Sequence, residues 1–133
     1  MDVAQRVRDS GKRMTIQRRL VLESLERAKH HTTAEEIAAR IRKQHPQIDP
    51  STVYRNLEAL EEAGIAHHVH VGHSAGRYVL SGRDSGGYVA CERCGRHETF
   101  DAAALRRRVE EVTGFACDFM HFPLVGICSE CDR

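Results

Sequence analysis

The chain of 133 residues has no tryptophan, and aromatic residues make up only 5% of it. Any core must therefore be mostly aliphatic. No apolar run approaches the 18 or so residues of a membrane-spanning helix. The opening Met1-Asp2-Val3-Ala4 has no signal-peptide character. A cytoplasmic protein with no membrane partner is the expectation. Excess charge is also lacking: the net charge of +1 argues against a strongly basic nucleic-acid binder taken as a whole. The balance is uneven along the chain, however. Residues 1–80 carry thirteen Lys/Arg against ten Asp/Glu, while residues 81–133 carry seven against nine. A mildly basic front half fits DNA contact by that half.

What the sequence does hold is punctuated helices. Residues 2–9 read as a short helix ended by Gly11, and a basic linker follows at Lys12-Arg13. Thr15 can cap a helix whose apolar side is Ile16, Leu20, Val21 and Leu25. Thr33-Ala34-Glu35-Glu36 has the capping-box form and opens a second helix to about Lys43, with Ile37 and Ile41 buried. Asp49 before Pro50 signals a third, running to about Ala63 and stopped by Gly64. Its first turns expose Ser51, Thr52, Tyr54 and Arg55, with Asn56 at the margin. Short hydroxyls, a phenol and a guanidinium are the groups that meet phosphates and base edges at the start of a recognition helix. A strand from Ile65 turns at Gly72–Gly76 and returns through Arg77-Tyr78-Val79-Leu80. Three helices and a hairpin make a winged helix-turn-helix.

The outgoing strand carries four of the nine histidines: His67, His68, His70 and His73. Alternation puts His68 and His70 on one face, roughly 6.5–7 Å apart at Cα, close enough to grip one metal ion. His67 falls on the opposite face, and His30, His45 and His97 read as surface residues. A metal-dependent hydrolase would need an open metal position beside a general base. No Glu or Asp is expected near these histidines, so a regulator rather than an enzyme is expected.

Residues 82–87, rich in glycine and serine, read as a linker between a domain of residues 1–81 and one of residues 88–133. The second domain is expected as strand, CxxC turn, strand, helix and strand. Its helix would run from Ala102 to about Thr113, capped by Asp101 and burying Leu105, Val109 and Val112, with a last strand within Phe115–Ile127. The fold class is thus α+β, a winged helix-turn-helix followed by a small α/β domain. Cys91, Cys94, Cys128 and Cys131 form two CxxC knuckles separated by 33 residues. Four thiolates match tetrahedral zinc with no open position, which makes the site structural. Metal binding in a reducing compartment fits this spacing better than a disulfide frame. Cys117 reads as a buried apolar residue.

These stretches resemble the ferric uptake regulator (Fur) family over nearly the whole chain. The resemblance rests on Met14-Thr15-Ile16-Gln17-Arg18, Ser51-Thr52-Val53-Tyr54-Arg55-Asn56-Leu57, Glu62-Ala63-Gly64-Ile65 and the paired cysteines. It implies a homodimeric repressor that binds double-stranded operator DNA when metal is bound, with the second domain as the dimerisation domain. Tyr54 and Arg55 then resemble the DNA-reading pair, and Arg18 the phosphate-contacting arginine. Most members carry a histidine-rich run before the first CxxC, from which the peroxide-sensing branch also draws ligands. This chain has Asp84-Ser85-Gly86-Gly87-Tyr88 there. The segments His68-Val69-His70-Val71-Gly72-His73 and His121-Phe122, seven positions before Cys128, resemble instead the nickel-responsive branch, Nur. That likeness implies His68, His70 and His121 as regulatory ligands between the two domains, with His31 and His73 as secondary candidates. Nickel is the expected regulatory metal, with Zn²⁺ and Fe²⁺ as alternatives. A zinc sensor, or a constitutive repressor holding only structural zinc, are the competing readings.

Overall fold

Four of the helices begin on a side chain that closes their own first turn. Asp2, Thr15, Thr33 and Asp49 accept the backbone N–H of Ala4, Arg18, Glu36 and Thr52, satisfying donors that a helix start leaves orphaned. The computed structural model of the chain describes residues 2–28, 31–70, 75–82, 86–117, 119 and 123–133. They divide into two units: residues 1–68 with 76–81, and residues 69–75 with 82–133.

The first unit holds α1 (Val3–Asp9), α2 (Ile16–Arg27), β1 (Thr32–Thr33), α3 (Ala34–Arg42), α4 (Pro50–Glu62) and the strands β2 (Ala66–Val69), whose last residue falls to the second unit, and β3 (Arg77–Leu80). Helices α2, α3 and α4 pack on one another around Val21, Leu25, Ile37, Ile41, Val53, Leu57 and Leu60, with Val7 of α1 fully buried beside them. The core is aliphatic, as the composition requires, and Tyr78 is its one aromatic ring among the described residues. Helix α4 ends in a Schellman turn. Gly64, at φ 71°, donates to the carbonyl of Glu61, and Ile65 to that of Leu60. The chain is thereby aimed into β2. The sheet order is β1-β3-β2, a wing with one strand more than the sequence indicates. Thr32 pairs with Tyr78 and Thr33 with Arg77.

Asn56 is buried, not marginal, and its Nδ2 donates to the Thr52 carbonyl at 2.8 Å. The capping box at Thr33 forms only by half. The Glu36 carboxylate turns instead to the Thr32 hydroxyl at 2.9 Å.

The second unit holds β4 (Gly86–Cys91), β5 (His97–Asp101), α5 (Ala103–Thr113) and β6 (Leu124–Gly126), in sheet order β5-β4-β6. β4 runs antiparallel to β5 and parallel to β6. Gly86 and Gly87 are strand residues, paired with Asp101 and Phe100. Among the described residues of the Phe115–Ile127 span, the last strand covers three positions. Ala102 occupies the cap position of α5, and Asp101 ends β5 while its carboxylate still accepts from Ala103 N. The expected burial on α5 does not occur: Leu105 and Val109 are half-buried and Val112 is 66% exposed. Among the described residues nothing fully covers that face. Cys117 is half-buried. Val69, Tyr88 and Ala90 form the small buried cluster of this unit.

Candidate metal centres and nucleic-acid interface

Parallel pairing of β4 with β6 sets Cys91 opposite Gly126, two positions before Cys128. Each knuckle is a tight turn, closed by Gly95 N to the Cys91 carbonyl and by Cys131 N to the Cys128 carbonyl, both at 3.0 Å. The four sulfurs of Cys91, Cys94, Cys128 and Cys131 lie within 4.8 Å of one another, with Cys94 and Cys128 at 3.7 Å. A tetrahedron with Zn–S arms of about 2.3 Å has edges of about 3.8 Å, so the cluster fits a structural zinc. Cys128 N–H points at the Cys91 sulfur at 3.4 Å and, with the N–H groups of Cys94 and Arg93, lowers that thiol to about 6. Cys131 is pushed up to about 12 by hydrogen bonding to Cys128 and Cys94. One thiol that ionises readily beside one that resists is what four crowded sulfurs do without a cation, and a dication removes the conflict.

The DNA-facing candidates gather at the start of α4. Ser51 Oγ donates to Asp49 Oδ1 at 2.7 Å, and with the Thr52 N–H it holds the Asp49 carboxyl below its ordinary value. Ser51, Tyr54 and Arg55 are exposed and Thr52 is half-buried. Arg18, on the first turn of α2, lies near the same place. Thr15, Gln17, Arg18, Thr52, Arg55 and Asn56 line an open cleft of about 310 Å³. Arg18 donates through Nη1 to the Arg13 carbonyl, while its buried Nε has no hydrogen-bond partner among the described residues. The Tyr54 hydroxyl donates to Glu35 Oε1 at 2.7 Å, which lowers the Glu35 carboxyl and raises the phenol. Nothing in the sequence singled out Glu35, nineteen positions away.

Burial alternates along the histidine stretch, as the strand reading expects. β2 ends at Val69, with His68 half-buried, Val69 buried and His70 exposed beyond the strand. His67, expected on the opposite face, is buried, and its ring lies edge-on to that of buried His31, centroids 6.5 Å apart. Its Nδ1 lies 3.4 Å from Ser81 Oγ. His97 is no plain surface residue, since it stacks on Tyr88 at 5.5 Å. His73 and His121 lie outside the described residues, as does His30. The expectation that no carboxylate approaches the histidines is corrected: Glu61 Oε1 is hydrogen-bonded to His68 Nδ1. The contact is made because the Gly64 turn folds β2 back beside the end of α4.

Space explains two of the residues that stand where the family resemblance implies a histidine run. A Cβ on Gly86, whose φ is 83°, would meet Arg106 Nη2 at 2.7 Å. One on Gly87 would meet the Phe100 ring at 2.6 Å. No side chain fits at either position without displacing these groups.

The sequence signature of the ferric uptake regulator family matches residues 9–120. The peroxide operon regulator of Bacillus subtilis is 27% identical over 135 residues, covering 99% of this chain and 92% of that protein. The peroxide-responsive repressor PerR of Staphylococcus saprophyticus is 30% identical over 128 residues, covering 94% of this chain and 86% of its own. The fold is similar to that of the Helicobacter pylori ferric uptake regulator, a structure described as having three functional metal binding sites. The TM-score is 0.82 at 22% identity, over 100% of this chain and 95% of that one. Among the described residues no helix is long and apolar enough to cross a membrane. Proteins of this family are dimeric DNA-binding transcription regulators, not enzymes. A signature over most of the length, carried on the matching fold with its cysteine cluster, settles the affiliation: the chain belongs to the ferric uptake regulator family.

Proposed function

We propose that this chain is a metal-responsive transcriptional repressor that binds operator DNA as a homodimer and senses nickel through His68, His70 and His121. The observation that carries DNA binding is the cleft shared by α2 and α4, where Arg18 and Arg55 meet Thr15, Gln17, Thr52 and Asn56. Phosphate contacts position a protein on the duplex and base contacts specify sequence. Arg18, Ser51 and Thr52 take the first role, and Tyr54 and Arg55 the second. A structural zinc on Cys91, Cys94, Cys128 and Cys131 holds the second unit together. The homodimer is supported by apolar surface on that unit, where Val112, Phe115 and Val125 are exposed.

For the regulatory metal, a set of imidazoles suits nickel, copper or zinc better than manganese or magnesium. The family resemblance implies that the peroxide-sensing branch draws ligands from the histidine run, and here two of those positions are packed glycines. That favours the His68–His70 segment as the sensor.

The test is operator binding by fluorescence anisotropy, using duplexes selected by the protein from a random pool. The protein keeps its cysteine-bound zinc, and Ni²⁺, Zn²⁺, Fe²⁺ or Mn²⁺ is added singly. Nickel should tighten binding about tenfold, which is about 1.4 kcal/mol, and the His68→Ala/His70→Ala double variant should lose the response. A response to zinc alone would replace nickel by zinc. Equal binding with and without added metal would leave a constitutive repressor.

A further inference from the structure

His68 is held on two sides by its own unit. Its Nδ1 is hydrogen-bonded to Glu61 Oε1, and its ring lies against that of Tyr78, centroids 5.2 Å apart and tilted by 37°. His68 is 33% exposed and Glu61 28%, so the pair is partly screened from water yet still reachable from solvent. A carboxylate accepts hydrogen bonds and cannot donate them, so the proton of this contact sits on Nδ1. In the neutral ring, Nε2 then carries the lone pair. Histidines that ligate metals are commonly fixed in this way, the far ring nitrogen donating to a carboxylate that sets the tautomer and raises the basicity of the other nitrogen.

We infer that Glu61 is the positioning residue of the regulatory site: it locks His68 in the Nδ1–H tautomer and presents Nε2 as the metal donor. The inference rests on the reading of His68 as a metal ligand. It goes beyond that reading in naming the donor atom and the group that selects it. Glu61 occupies the last turn of α4, the helix whose first turn carries Ser51, Thr52, Tyr54 and Arg55. Its carboxylate therefore fastens the ligand to the recognition helix itself. The rest of that helix end is anchored as well. Lys12 Nζ reaches Glu62 at 2.7 Å, and Arg6 donates to the Gly64 carbonyl at 3.2 Å.

Two measurements on the full-length protein, with its cysteine-bound zinc retained, test this. The first is ¹⁵N-resolved NMR of the His68 imidazole without added metal. Wild type should show the Nδ1–H tautomer, Glu61→Gln should keep it, because an amide oxygen still accepts, and Glu61→Ala should lose it. Wild type in the Nε2–H form would overturn the inference. The second is calorimetric titration with Ni²⁺. Glu61→Ala should weaken binding about 10–100-fold, with Glu61→Gln in between and the melting temperature of the metal-free protein unchanged. Nickel affinity unaffected in Glu61→Ala, although His68→Ala abolishes binding, would also overturn it. So would a loss as complete as that of His68→Ala, since Glu61 would then be a ligand. If wild type takes up no nickel while His68 remains the Nδ1–H tautomer, the positioning contact stands and the nickel reading falls.

Discussion

Tyr78 keeps only 8% of its surface exposed, at the junction of the wing with the helices. Burial, with the nearby Glu61 carboxylate adding to it, pushes its phenol up to about 12. The folded value lies above the unfolded value of about 10. The stability tied to the neutral phenol is therefore complete below pH 10 and lost as pH rises through about 12. Near-ultraviolet titration should show a phenol ionising only in that window, with helix signal falling alongside it, and Tyr78→Phe should remove the step. Ionisation of every phenol near pH 10 would contradict this. Such environments are not legible from residue type. Tyr54 is legible as an exposed residue of α4, because position in an amphipathic helix settles exposure. Its bond to Glu35, the pairing of His31 with His67 and the contact of Glu61 with His68 join separate elements, and spacing along the chain does not encode them.

Helices are the most legible elements here because their signals are local. Each of Thr15, Thr33 and Asp49 acts on a backbone N–H three positions on. Thr33→Ala should cost about 1 kcal/mol in urea denaturation, and an unchanged midpoint would mean that β1 alone holds the start of α3. Strands are less legible. β1 has two residues and exists because β3 lies beside it. The stretch taken as linker contributes Gly86 and Gly87 to β4, since Phe100 folds over its cross-strand partner Gly87 and supplies what a side chain would. Gly87→Ala should thus destabilise the second unit by about 1–3 kcal/mol. An alanine tolerated at no cost would show that the ring moves freely.

At the scale of the molecule, the second unit is short of core. Its buried cluster is Val69, Tyr88 and Ala90, and α5 has no fully buried residue. So small a core commonly needs a metal or a partner chain. Stripping zinc with a chelator should accelerate amide exchange through Tyr88–Cys91 while α2–α4 stay protected, and persistent protection of β4 would show the sulfurs to be dispensable. On the same reasoning, the proposed dimer contact would use the exposed Phe115 and Val125. Phe115→Asp with Val125→Asp should give a monomer by light scattering that still holds its zinc. A dimer that survives both changes must use another surface.

The sequence by itself determined the helix starts, the aliphatic core, the α+β class and the four-sulfur cluster. Each rests on a short-range rule: a cap and its N–H, a helical period, or two cysteines in one turn. Tertiary structure decided the third strand of the wing, the burial of His67 and Asn56, the bareness of α5 and the carboxylate at His68. These depend on which surfaces meet once the chain has turned, and one such turn, at Gly64, is what sets Glu61 against the imidazole.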